Sequence, residues 1–142
     1  MNVNDWYLFQ GVGSVIAFQR IVGPRLMRLK PDAAAIAAAM PAAHRVFGAL
    51  ARELGDKSYF VGDALSLADI MLAPHLDFLA ATPEWPALTA NNANLVAWLQ
   101  RMSALPSLEA TTRERVSAMA LAFSGERPVA ALHSSGNLVH GQ

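Results

Sequence analysis

The sequence predicts an all-α protein, a helical bundle of about five to six helices. Apolar residues recur at three- and four-residue intervals along most of the chain, the spacing of one helix face. No strand pattern is longer than Tyr59 to Val61. A capped helix opening at Ser66 is apolar almost all round, as expected of a rod surrounded by other helices. With 142 residues the chain suits one domain with a sizeable core.

Taken in order, an amphipathic helix is expected from Asn2 to Val22, with Trp6, Tyr7, Gln10, Phe18 and Ile21 on neighbouring turns. Gly11 and Gly13 weaken it by about 1 kcal/mol each relative to Ala, and leave its middle open to close approach. Gly23-Pro24 should end or bend it, and Arg25 to Lys30 continues as an apolar-basic segment. Pro31-Asp32 opens a second helix, with Asp32 as its cap, Pro41 as a kink and Gly55 as its stop. These two long helices are expected to pair antiparallel.

The central helix runs from Ser66 to Ala81. Ser66 is the N-cap, its hydroxyl accepting from the backbone N–H of Asp69, whose carboxylate reaches back to the Ser66 N–H. Leu65 and Ile70 flank the cap as a hydrophobic staple, and the charge of Asp69 suits the helix N-terminus. Replacing Ser66 or Asp69 by Ala is expected to cost about 1 kcal/mol, or about 2 where the cap is buried. Thr82 to Pro86 breaks the rod. A short helix after Asn92 holds Leu95, Val96, Trp98, Leu99 and Met102, and Pro106-Ser107 starts a last helix through Met119 to Phe123. Residues 1–123 therefore read as the domain, and residues 124–142 as an incompletely ordered tail.

Charged residues make up only 15% of the chain, against about 25% in a typical soluble protein. So neutral a composition fits equally a surface partly covered by another domain or subunit, and an alanine-rich helical protein with an unusually neutral face. The net charge is zero, which argues against nucleic acid or a membrane as partner. There is no cysteine, hence no disulfide, thiolate metal site or cysteine nucleophile in this chain. Met1 to Asp5 carries no basic leader, and Trp6 to Gln19 is too short to span a bilayer, so the expected location is cytoplasmic.

The string Tyr59-Phe60-Val61-Gly62-Asp63-Ala64-Leu65-Ser66-Leu67-Ala68-Asp69-Ile70 resembles the start of the central helix in the C-terminal, all-helical domain of the glutathione S-transferase family. Asn94 to Met102, followed by Leu105-Pro106-Ser107, is similar to the family's Leu-x-x-Trp helix with its trailing Pro-Ser. The Asp32 to Leu54 helix, with Pro41 and His44-Arg45, is similar to the second helix of that domain. The resemblance covers residues 1 to 123.

This resemblance implies the helical, substrate-binding and dimerisation half of an enzyme that conjugates glutathione to hydrophobic electrophiles. It implies glutathione as co-substrate only where a thioredoxin-like domain is supplied, since that domain carries the glutathione site and the catalytic residue. Met1 to Trp6 looks like the interior of the family's first C-domain helix, so a truncated transferase, a split gene product or an isolated helical half is expected, inactive alone. No catalytic residue is carried over. The hydrophobic substrate wall implied by the resemblance comprises Trp6, Tyr7, Gln10 and Gly13 on the first helix, with Met119 and Phe123 on the last. The expected partners are a second copy of the chain or the thioredoxin-like domain, and a hydrophobic small molecule. The competing reading is a non-catalytic protein-interaction module of the same fold.

Other constellations point to less. His44, His75, His133 and His140 lack metal-ligand spacing, and no metal is expected. Ser66, Asp69 and His75 do not make a triad, because the hydroxyl is explained by the cap. Gly11-Val12-Gly13 lacks the third glycine and the preceding strand of a dinucleotide site. Arg25, Arg28 and Lys30 read as a solvated basic cluster.

Overall fold

A computed structural model describes residue 8, residues 12–112, and residues 115, 116, 118–120 and 122. The described residues are mostly helical and contain no strand, only an isolated antiparallel bridge between Tyr59 and Gly62. Among the described residues seven α-helices follow one another: α1 (Ser14–Ala17), α2 (Gly23–Met27), α3 (Ala33–Leu54), α4 (Leu67–Ala80), α5 (Trp85–Thr89), α6 (Ala93–Ser103) and α7 (Pro106–Ala110). A π-helical turn, Phe18–Val22, joins α1 to α2. The chain divides into two compact units, Met1–Leu105 and Pro106–Gln142.

In the first unit, α1, the π turn and α2 run on as one helical path. Gly23-Pro24 does not end it: both Val22 and Gly23 keep right-handed helical dihedrals. Pro24 falls in the first turn of α2, where its fixed φ and missing donor are tolerated. The path stops instead at Arg28, whose backbone is left-handed, with φ 55°. The N–H groups of Arg28 and Leu29 both turn back to the Gly23 carbonyl. A side chain in this conformation costs roughly 1 kcal/mol, a penalty glycine does not bear. Arg28→Gly should therefore stabilise the protein by about 0.5–1 kcal/mol, raising the thermal midpoint by about 3 °C; a lower midpoint in a melting curve would contradict this.

Helix α3 begins where the sequence places it. Asp32 Oδ1 accepts from the N–H groups of Ala34 (2.9 Å) and Ala35 (3.0 Å). The helix runs 22 residues through Pro41 without interruption and ends at Gly55, which takes φ 55° as it closes on the Ala51 carbonyl at 2.9 Å. By length and mean hydropathy (1.3) α3 could cross a bilayer. Its burial is one-sided, however: Ile36, Ala39, Ala43, Val46, Phe47, Leu50 and Leu54 form one buried stripe, while His44, Arg45, Arg52 and Glu53 are exposed. That is the pattern of a helix packed against a core.

Around α3 lie α1, α5 and α6, and α4 packs on α1 and α6. Leu8, Val12, Ile16, Phe47, Leu54, Leu76, Leu79, Leu88, Leu95, Trp98 and Met102 are fully buried together with Asp69. The ring of Phe47 meets Trp85 edge-on at 5.7 Å. Helix α5 begins inside the stretch, Thr82 to Pro86, expected only to break the rod, and runs beyond it. Its Pro86 falls within the first turn, the one helical position that accepts proline without loss. The central helix α4 also departs from expectation. It buries Asp69, Leu72, Ala73, Leu76 and Leu79, but Leu67, Ile70, Pro74 and Phe78 form an exposed stripe along another side. Leu67 is 68% exposed and Ile70 48%. An apolar surface all round does not require neighbours all round within one chain.

In the second unit, α7 is a single short helix rather than the beginning of a continuous one to Phe123. Thr111 turns the chain, its N–H bonding back to the Leu108 carbonyl at 3.1 Å and its hydroxyl to the Ser107 carbonyl at 2.9 Å. Residues 115 and 116 are helical, with the Arg115 N–H on Thr112 Oγ1 and the Val116 N–H on the Thr112 carbonyl. A β-hydroxyl residue competes for backbone hydrogen bonds and makes a ready break and cap. Phe123 and the tail, residues 124–142, lie outside the described residues.

Candidate functional site

The best-defined polar centre of the molecule is the carboxylate of Asp69, completely buried at the first turn of α4. Both arms of the Ser66–Asp69 capping box are in place. The strongest links run to the carboxylate: Oδ2 accepts from the Ser66 backbone N–H at 3.0 Å and from the Ser66 hydroxyl. Oδ1 accepts from the Phe60 backbone N–H and from Trp98 Nε1, each at 2.9 Å. One carboxylate therefore joins the loop before α4, the start of α4 and the middle of α6. The Phe60 ring completes the arrangement, standing edge-on to Trp98 at 5.2 Å and 87°.

Burial pushes the Asp69 carboxyl up, but the hydrogen bonds from Ser66 Oγ, the Phe60 N–H, Trp98 Nε1 and the Ser66 N–H outweigh it. The group is held below its ordinary value. With all four donors satisfied by an anion and no proton to spare, Asp69 is suited to hold structure rather than to exchange protons. Leu65 and Ile70, on either side of the cap, remain 43% and 48% exposed.

The loop that carries Phe60 is tied down from α6 as well. Asn94 Nδ2 donates to the carbonyls of Ala51 (2.8 Å) and Gly55 (3.1 Å), closing the end of α3. Arg101 donates to the Ser58 carbonyl at 3.0 Å, and Lys57 to the Phe60 carbonyl at 3.0 Å. A second long-range tie fixes the π turn: Arg20 Nε (2.8 Å) and Nη2 (2.5 Å) both donate to Glu84 Oε1, in the turn between α4 and α5. The hydrogen bond with Glu84 raises the pKa of Arg20 while burial opposes it. The other oxygen, Glu84 Oε2, is buried and accepts no hydrogen bond among the described residues.

Of the expected substrate wall, Trp6, Tyr7, Gln10 and Phe123 lie outside the described residues. Gly13 belongs to the first compact unit and Met119, 57% exposed, to the second. The close neighbour of Gly13 is its own helix: a methyl group there would stand 3.1 Å from the Leu8 carbonyl oxygen, five residues back. The glycine thus has a local reason in the widened winding of the first helix. Among the described residues no group of three or more His, Asp or Glu side chains could hold a metal.

Residues 12–106 match the family model of the glutathione S-transferase C-terminal domain. Among solved structures, the chain is similar to glutathione S-transferase III in its apo form, with 27% identity and a TM-score of 0.68 over 82% of this chain and 51% of that one. It is also similar to glutathione transferase F2 from Populus trichocarpa, with 21% identity and a TM-score of 0.65 over 81% of this chain and 56% of that one, a likeness of fold alone. No curated protein matches by sequence. The chain belongs to the glutathione S-transferase C-terminal domain family. It spans about half the length of the solved structures it matches.

Proposed function

We propose that this chain serves as the helical half of a cytoplasmic glutathione S-transferase, walling the site for a hydrophobic electrophile and contributing to a homodimer. A thioredoxin-like half supplies glutathione and the group that activates its thiol. The observation that supports this reading most is the exposed stripe of Leu67, Ile70, Pro74 and Phe78 on α4, joined at its start by Val61 and Leu65. Leu67, Ile70, Pro74 and Phe78 follow one another at three- and four-residue steps along α4, a helix face of the kind that another folded surface covers. The 15% charged composition fits the same picture.

In this reading the chain by itself does not conjugate glutathione, because the described residues are the matched helical domain and its surroundings. The residues the family resemblance offers for the substrate wall are Trp6, Tyr7, Gln10, Gly13, Met119 and Phe123. The expected result is no turnover of glutathione and an aryl halide above background for the 142-residue chain. Turnover appears when a thioredoxin-like domain of the same family is joined to its N-terminus. Glutathione-dependent turnover by the chain alone would overturn this division of labour. A folded fusion without turnover would favour the non-catalytic interaction module instead.

A further inference from the structure

We propose that the corner between α2 and α3 is a docking surface for an anionic lipid membrane. Every residue from 25 to 34 is exposed, a run of ten at the turn between two helices. Three large apolar side chains stand on it: Leu26 at 79% exposure, Met27 at 59% and Leu29 at 47%. They alternate with three cations, Arg25, Arg28 and Lys30, none of which has an ion pair among the described residues. The one nearby acid, Asp32, is engaged in capping α3. The protein as a whole has no net charge, so the cations here are a local concentration and not part of a general basic field.

Two features favour a lipid surface over an acidic peptide. The apolar and cationic side chains stand side by side along one exposed run, and a bilayer interface moulds itself around such exposed side chains. The side chains are also of the two kinds such an interface takes up together: aliphatic groups that enter the acyl boundary, and cations that meet the headgroups. The left-handed backbone at Arg28 supports the assignment. It turns the chain sharply there and keeps Arg28 exposed beside Leu29 and Lys30. Zero net charge argues against a membrane partner when the chain is averaged; the structure replaces that average with one exposed basic-apolar corner.

The test is sedimentation of the full chain with vesicles of three parts phosphatidylcholine to one part phosphatidylserine, beside pure phosphatidylcholine vesicles and soluble polyglutamate. Binding to the phosphatidylserine vesicles is expected to be selective and to weaken with added salt. Each neutralised cation should weaken it about fivefold, and the triple variant Arg25→Gln, Arg28→Gln, Lys30→Gln roughly a hundredfold. Leu26→Ser with Met27→Ser should weaken it comparably while circular dichroism stays unchanged. Absence of binding at low salt, equal binding to both kinds of vesicle, or undiminished binding by the variants would overturn the proposal. Binding to polyglutamate without binding to vesicles would overturn it in favour of an acidic protein partner.

Discussion

Replacing Asp69 by alanine is expected to lower stability by about 3–5 kcal/mol, a large share of the roughly 5–15 kcal/mol that holds a domain of this size together. The change removes the acceptor for four donors at once. Two of them, the Phe60 N–H and Trp98 Nε1, belong to buried residues, and each unsatisfied donor costs about 1–3 kcal/mol. The lost helix cap adds about 1 kcal/mol. In urea the midpoint should fall by about 2 M. Ser66→Ala removes one hydroxyl bond to a half-exposed position and should cost only about 1 kcal/mol, so the pair separates a cap from a hub. A wild-type midpoint for Asp69→Ala would mean that the carboxylate does not join these elements.

The same carboxylate sets a pH dependence. Its pKa is lower folded than unfolded, so the stabilisation is fully present above the unfolded value of about 4. It is lost progressively as the pH falls from there through the folded pKa. Stability should therefore drop on acidification below about pH 4, and Asp69→Asn should remove that part of the drop.

Much of this arrangement is legible in the sequence because its signals are local. Asp32 two and three residues before free amides, Gly55 after a periodic run and Ser66 three before Asp69 each declare a helix boundary within one turn. The family resemblance rests on such strings, and the match over residues 12–106 bears it out. What escapes the sequence is mostly long-range. Asp69 and Trp98 are 29 positions apart, Arg20 and Glu84 are 64 apart, and Asn94 reaches 43 back to Ala51. Nothing in local spacing pairs them. The expected 1–2 kcal/mol for Asp69 was accordingly the value of a cap, without the indole and the Phe60 amide on its other oxygen. Short elements escaped for another reason. Pro86, read as part of a break, is also a good first-turn residue, so composition alone does not settle α5. Pro106 starts a helix as expected, but nothing in the apolar spacing marks its early end at Thr111.

Trp98 should rank with Asp69 in effect. It is fully buried, so Trp98→Ala opens a cavity in the packing of α4 and α6 and should cost about 3–5 kcal/mol. A loss of that size is common to any large core residue, and Trp98→Phe distinguishes the two parts of its role. Phenylalanine keeps most of the ring and its edge-on contact with Phe60, but it cannot donate to Asp69 Oδ1. The expected cost is about 1–2 kcal/mol. The loss should carry a signature that packing does not produce: with one donor gone, the Asp69 pKa rises toward, or past, its ordinary value. Carboxyl chemical shifts followed through an acid titration would read this directly. A double-mutant cycle of Trp98→Phe with Asp69→Asn should show coupling of about 1–2 kcal/mol, as residues sharing a hydrogen bond do. If the Asp69 titration is unmoved in Trp98→Phe and the cycle is additive, the indole is only filling space, and the link between the two family motifs is steric rather than electrostatic.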